Sequence, residues 1–188
     1  MRLRFARGRD KRGRVLVASL GASEVVNASR VRWLASHGHK NLLPCEYDVS
    51  HRCLIYDVHG LTSLRKYVRH TELSHDALVR MLGGITDALA WCMMGGNRCY
   101  HVLNDPAYVF VGTTREPHLA LVPVEGVARL IEKSPFESLA LLSDESQIRY
   151  ASPDAAELAR CLADFVAEQD DAFSINALRH FVERECGI

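Results

Sequence analysis

The stretch that decides the fold is His101-Val102-Leu103-Asn104-Asp105-Pro106-Ala107-Tyr108-Val109-Phe110-Val111, with Gly112 to Pro117 and then His118-Leu119-Ala120-Leu121-Val122-Pro123-Val124 behind it. Arg98 to Leu103 and Tyr108 to Val111 are β-like, and Asn104-Asp105-Pro106 interrupts them with residues that favour turns. His118 to Val124 is β-like again and is expected to pair back across the Gly112 to Pro117 turn. The result is a small hairpin near 108-124.

On both sides of this segment the period changes from two to that of a helix. Thr62 to Val68 reads as a short helix. Ser74 caps a long one, in which Leu78, Met81, Leu82, Ile85, Leu89 and Cys92 recur on one face until Gly95-Gly96-Asn97 stops it. Downstream, helices are expected over Pro135 to Leu142, Pro153 to Glu168 and Ser174 to Glu185, with Pro153 in a first turn and Ser174 as an N-cap. Upstream, Leu3 and Phe5 alternate with arginines, Gly8 to Gly13 makes a turn, and Val15 to Leu20 resumes as a strand. Ser23 is read as the cap of a helix reaching about Ser36. Leu42 to Val49 and Arg52 to Val58 are two further β-like runs around Ser50-His51. The fold class is therefore α+β: one domain over 1-188, with a small β-rich lobe at 1-60 holding one helix, and a mainly helical lobe at 61-188.

Composition agrees with a folded core. Apolar residues make up 48% of the 188 residues and charged residues 24%, an ordinary globular balance. The apolar runs Leu119 to Val124 and Leu139 to Leu142 are far shorter than the roughly 18 residues a bilayer requires. The N-terminus lacks the apolar core of a secretory signal, so a cytoplasmic location is expected. Six cysteines without a C-x-x-C pair read as reduced thiols. The net charge of zero conceals an asymmetry: residues 1 to 14 hold seven Arg or Lys against one Asp, and residues 134 to 188 hold four Arg against eleven Asp or Glu. The basic end (Arg2, Arg4, Arg7, Arg9, Lys11, Arg12, Arg14) is read as the wet face of a hairpin. A nucleic-acid module is the weaker alternative, because Phe5 is the sole aromatic residue among these charges, too few for base stacking.

Laid on this order of elements, several landmarks resemble those of a protein kinase. His39-Lys40-Asn41-Leu42-Leu43 is similar to the step between the small-lobe helix and the following strand, and Cys53 to Leu64 to the last small-lobe strand, hinge and next helix start. His101 to Phe110 resembles a decayed His-Arg-Asp-Leu-Lys-Pro-Glu-Asn-Ile-Leu catalytic loop. The resemblance implies a catalytic base where Leu103 stands and a metal-holding Asn where Tyr108 stands. It puts the Asp-Phe-Gly metal ligand at or beside Pro123, and the phosphate-binding lysine at the end of Val15-Leu16-Val17-Ala18-Ser19-Leu20, although no lysine occurs between Lys11 and Lys40. Arg30 lies about where that lysine's glutamate partner belongs. Phosphoryl transfer depends on positioning phosphates and metal, so a chain without these groups is expected to be no enzyme and to hold no cofactor, metal or catalytic residue.

Stripped kinase-like chains of this kind are similar to two groups in Gram-positive bacteria: the uncharacterised domain preceding forkhead-associated domains, and the cytosolic domain of EssB/YukC of type VII secretion. That resemblance runs from about Leu42 to Gly126. It implies a pseudokinase-like, non-catalytic protein-interaction domain of a bacterial signalling or secretion protein, with a protein partner. An unconventional nucleotide-binding or phosphotransfer enzyme is the alternative.

Other chemistries find little support. Gly21-Ala22-Ser23-Glu24-Val25 lacks the second glycine of a nucleophile elbow. Asp48 and Asp57 could converge on adjacent strands as an acid/base pair, but read better as strand-end groups. His51-Arg52-Cys53, with Cys45, His37 and His39, is the nearest approach to a metal set and reads better as buried thiols and surface imidazoles. Trp33 and Trp91 are expected in the core or between the lobes.

Overall fold

Alternation in the first twenty residues does make a hairpin. The computed structural model describes residues 4–11, 13–94, 102–125, 136–169 and 174–188. Within it β1 (Arg4–Asp10) and β2 (Gly13–Ser19) pair antiparallel from Arg4 opposite Ser19 to Asp10 opposite Gly13. Gly13 has φ 126°, and a Cβ there would run into the His59 ring, so the turn needs glycine. β3 (Cys45–Asp48) and β4 (Cys53–Asp57) complete a four-stranded sheet of order β1-β2-β4-β3. The register puts Phe5, Arg7, Arg9, Arg14, Leu16, Ala18, Leu54 and Tyr56 on one face. Leu16, Ala18, Leu54 and Tyr56 are fully buried, so this face looks inward.

The small-lobe helix departs from expectation at its start. α1 spans Ala28–His37, and its N-cap is Asn27, whose side chain accepts from the Arg30 amide at 3.0 Å; Ser23 is not the cap. The reason is a long-range pairing. Val26 bridges to Val124, the Asn27 amide donates to the Pro123 carbonyl at 2.8 Å, and the Glu125 amide to the Val25 carbonyl at 2.9 Å. Leu42, expected in a strand, instead bridges to Leu119, leaving only Cys45–Asp48 in the sheet.

In the helical part β5 (Thr62–Ser63) precedes α2 (Leu64–His70), so the expected helix starts two residues late. α3 (His75–Met94) matches its expectation: the Ser74 hydroxyl accepts from the Ala77 amide at 3.2 Å, and Leu78, Met81, Leu82, Ile85, Leu89 and Cys92 are all buried. By length and composition α3 could cross a membrane, which the short apolar runs did not bring out. However, 56% of its apolar window is buried inside the fold.

The expected single hairpin is divided in two. β7 (Phe110–Val111) pairs with β8 (Pro117–His118), whereas β9 (Ala120–Leu121) pairs with β6 (Val102–Leu103). Tyr108 lies in the turn before β7. α4 (Glu137–Leu142), α5 (Pro153–Glu168) and α6 (Ile175–Cys186) follow. The Ser152 and Ser174 hydroxyls cap α5 and α6, and Phe165 stacks on Phe181 at 4.8 Å to join them. One apolar cluster runs from Leu16 on β2 to Val182 on α6. The expected stop at Gly95-Gly96-Asn97, the Arg98 to His101 part of a strand, Pro135, Gly126, Cys99, Arg2 and Arg12 lie outside the described residues.

Candidate functional site where the sheet meets the helices

Leu103 ends β6 and is buried at 4% exposure, an apolar side chain at the position the resemblance gives to a base. After it the chain turns tightly. The Asp105 carboxylate accepts from the Ala107 amide at 2.8 Å, its carbonyl accepts from the Tyr108 and Val109 amides, and the Ser138 hydroxyl donates to the Asn104 carbonyl at 2.5 Å. The Asn104 amide is buried without a hydrogen-bond partner among the described residues. Tyr108, at the place of the metal-holding Asn, turns its ring onto Phe5 of β1, with centroids 4.8 Å apart. The Arg7 guanidinium beside them donates to the Ala107 carbonyl at 3.1 Å, and Arg14 donates to the Leu61 carbonyl at 3.2 Å. The hairpin is thus held against the turn at Asp105 to Tyr108 and against Leu61.

The remaining landmark positions are equally apolar or engaged. Ala18 and Leu20 at the end of β2 are buried, Ser19 is exposed, and none carries a cation. Arg30 sits in the first turn of α1. Pro123 is buried between Val122 and Val124, and its carbonyl is occupied by Asn27. From the sheet, the Tyr56 hydroxyl donates to the Leu121 carbonyl at 2.9 Å, and desolvation raises its pKa well above the usual phenol value. Of the positions where the resemblance implies groups that grip metal and phosphate, Tyr108 packs its ring on the sheet and Pro123 accepts a backbone hydrogen bond, while Leu103, Ala18 and Leu20 are buried apolar side chains.

The other candidates do not converge. Asp48 opposes Cys53 at one end of β4, and Asp57 stands at the other end, about 13 Å along the strand. Asp48 accepts from the His51 ring at 2.8 Å, which lowers its pKa; Asp57 accepts from the His59 amide. His37 stacks on Trp33 and His39 packs on Trp91, so neither joins Cys45 or His51. Burial pushes the Cys45 thiol up to about 12. Trp33 and Trp91 pack at 4.2 Å, linking α1 to α3. Ser23 lies on the exposed loop before α1. Sequence reasoning missed Phe5, Arg7 and Arg14 as residues of this junction; their alternation located a strand but not what lay beneath it.

No family model matches the sequence, and no curated protein matches it. Solved structures do. The chain is similar to the pseudokinase domain of BIR2, an immune regulator of the RLK/Pelle family, with TM-score 0.60 at 12% identity, covering 97% of this chain and 78% of that one. It is similar to the pseudokinase DRIK1, a drought responsive inactive kinase solved with ENMD-2076, with TM-score 0.56 at 14% identity over 100% and 89% of the two chains. A third plant pseudokinase, in its apo form, gives 0.59 at 14% identity over 98% and 87%. At such low identity these likenesses concern architecture alone. The chain has a kinase-like α+β fold, with a small N-terminal sheet and a mainly helical C-terminal part.

Proposed function

We propose that this chain is a non-catalytic, pseudokinase-like protein-interaction domain, forming one domain over 1-188 with lobes divided near residue 60. The observation that carries the reading is the junction itself. Leu103, Tyr108 and Pro123 stand where a base and two metal ligands belong, Ala18 and Leu20 where a lysine belongs, and Tyr108 is packed under Phe5. Magnesium-dependent phosphoryl transfer requires carboxylate or amide oxygens at those positions. The chain is assigned no catalytic residue and no cofactor, and its partner is a protein. The bacterial, cytoplasmic signalling or secretion setting is part of this proposal and rests on the sequence resemblance of Leu42 to Gly126 to the domain preceding forkhead-associated domains and to the EssB/YukC cytosolic domain.

Two measurements test this. With labelled ATP and Mg²⁺ or Mn²⁺ the purified protein is expected to transfer no phosphate to itself or to generic substrates; robust transfer defeats the proposal. In a thermal-shift titration, Mg-ATP is expected to leave Tm unchanged, because a ligand stabilises only by binding the native state.

A further inference from the structure

The inward face of the β1-β2 hairpin carries three arginines at its turn end. Arg7 and Arg9 alternate along β1, and Arg14 of β2 lies directly opposite Arg9. Directly opposed residues in an antiparallel pair have Cα atoms about 5 Å apart, and like charges so placed repel. No carboxylate is paired with Arg7, Arg9 or Arg14 among the described residues, and all three are exposed. Arg7 and Arg14 are nonetheless held in place, each using one N–H on a carbonyl of the helical part, at Ala107 and Leu61. Beside Ala107, Arg65 at the start of α2 donates its amide to the Pro106 carbonyl at 3.0 Å and reaches the Asp105 carboxylate at 3.7 Å while staying half exposed.

We propose that this mouth, framed by Arg7, Arg9, Arg14 and Arg65, binds a phosphorylated side chain on an extended segment of a partner protein. A phosphate monoester offers nearly two charges and three acceptor oxygens, which suits a surface carrying several forked guanidiniums. Nucleic acid fits less well: Phe5 and Tyr108, aromatic residues beside the arginines, are packed on each other rather than displayed for base stacking. Among the described residues β1 is also a sheet edge, paired only with β2, so an extended segment can lie along it. The proposal names the partner chemistry of the interaction domain proposed above and rests on that reading.

The test is fluorescence anisotropy with a labelled degenerate peptide pool carrying a fixed central phosphoserine, alongside the same pool with serine. Arg9→Glu and Arg4→Glu change charge equally, but Arg4 is on the opposite face of the same strand. Neither bears on a hydrogen bond described above. Loss of the phosphate is expected to weaken binding about tenfold or more, as is Arg9→Glu, while Arg4→Glu changes it less than about twofold. Equal weakening by the two variants, or no preference for the phosphorylated pool, overturns the proposal. So does competition by inorganic phosphate or an oligothymidylate at the phosphopeptide's own potency. Phosphotransfer from labelled ATP would defeat the non-catalytic reading while leaving the comparison of Arg9→Glu with Arg4→Glu to decide the mouth separately.

Discussion

Tyr56 shows at the scale of one side chain how the sheet is fastened to the helical part. Its ring is fully buried and its hydroxyl donates to the Leu121 carbonyl at 2.9 Å. Tyr56→Phe keeps the apolar volume and removes one donor, so its cost is that of a buried hydrogen bond, about 1–2 kcal/mol. Urea denaturation is expected to show a lower midpoint at unchanged slope; an unchanged midpoint means the bond contributes nothing net. Cys45 gives a pH signature. Burial holds its thiol neutral, with a folded pKa of about 12 against 9.0 as its ordinary value. Because the folded pKa is the higher, the stabilisation is complete below pH 9 and is lost as pH rises toward 12. The Tm of the wild type is expected to fall across that window more steeply than that of Cys45→Ala. His118 acts in the opposite direction: burial lowers its pKa below 6.5, so its contribution is present above that value and fades on acidification.

Among the elements, those fixed by local chemistry were legible in the sequence. α3 and α5 carry their caps and apolar spacing within themselves, and Ser74, Pro153 and Ser174 take the positions their types favour. Those fixed from a distance were not. Ser23 lost its cap role because Val25 and Val26 pair with a segment almost a hundred residues away, and the run from His118 to Val124 is shared between two partner strands. The tight turn around Asn104-Asp105-Pro106 was readable because turn chemistry is local. That Phe5 covers Tyr108 was not, because strand alternation does not name its ceiling.

Gly84 is the same lesson inside a helix. In the middle of α3, glycine costs about 1 kcal/mol against alanine, so sequence alone recommends Gly84→Ala. A Cβ there would stand 2.6 Å from Pro117 Cδ and 2.8 Å from the Asn41 amide nitrogen, which itself donates to the Pro117 carbonyl at 2.9 Å. Neither the proline ring nor the engaged amide can yield easily, and overpacking costs about 1–3 kcal/mol. Gly84→Ala is therefore expected to lower stability in a denaturant titration despite raising helix propensity. A stabilised variant would mean that α3 and β8 can separate at no cost.

For the whole molecule, the decisive feature is how many ties cross from sheet to helices without passing through the hinge-like segment. The Leu43 amide donates to the Leu119 carbonyl and the Leu119 amide to the Asn41 carbonyl, both at 2.8 Å; Asn27 and Glu125 add their bonds across the Val26 and Val124 bridge. Trp33 on Trp91 joins α1 to the end of α3, and the apolar cluster is continuous through both parts. Loosely hinged lobes would need a polar, wet interface between them. Here, unfolding either part alone would expose the other's buried apolar face to water and break the hydrogen bonds that cross between them, each worth about 0.5–1.5 kcal/mol net. The two parts are therefore expected to unfold together. Tryptophan fluorescence reports on the Trp33 and Trp91 junction, and far-ultraviolet circular dichroism is dominated by the helices, so a single transition requires the two urea curves to superimpose. Trp33→Ala, which removes one tie and about 0.5–1.5 kcal/mol of aromatic pairing, should shift the circular dichroism curve as a whole rather than split it. A fluorescence transition in the wild type that precedes loss of helix would show that the sheet comes away first and that the junction does not hold the chain as one cooperative unit.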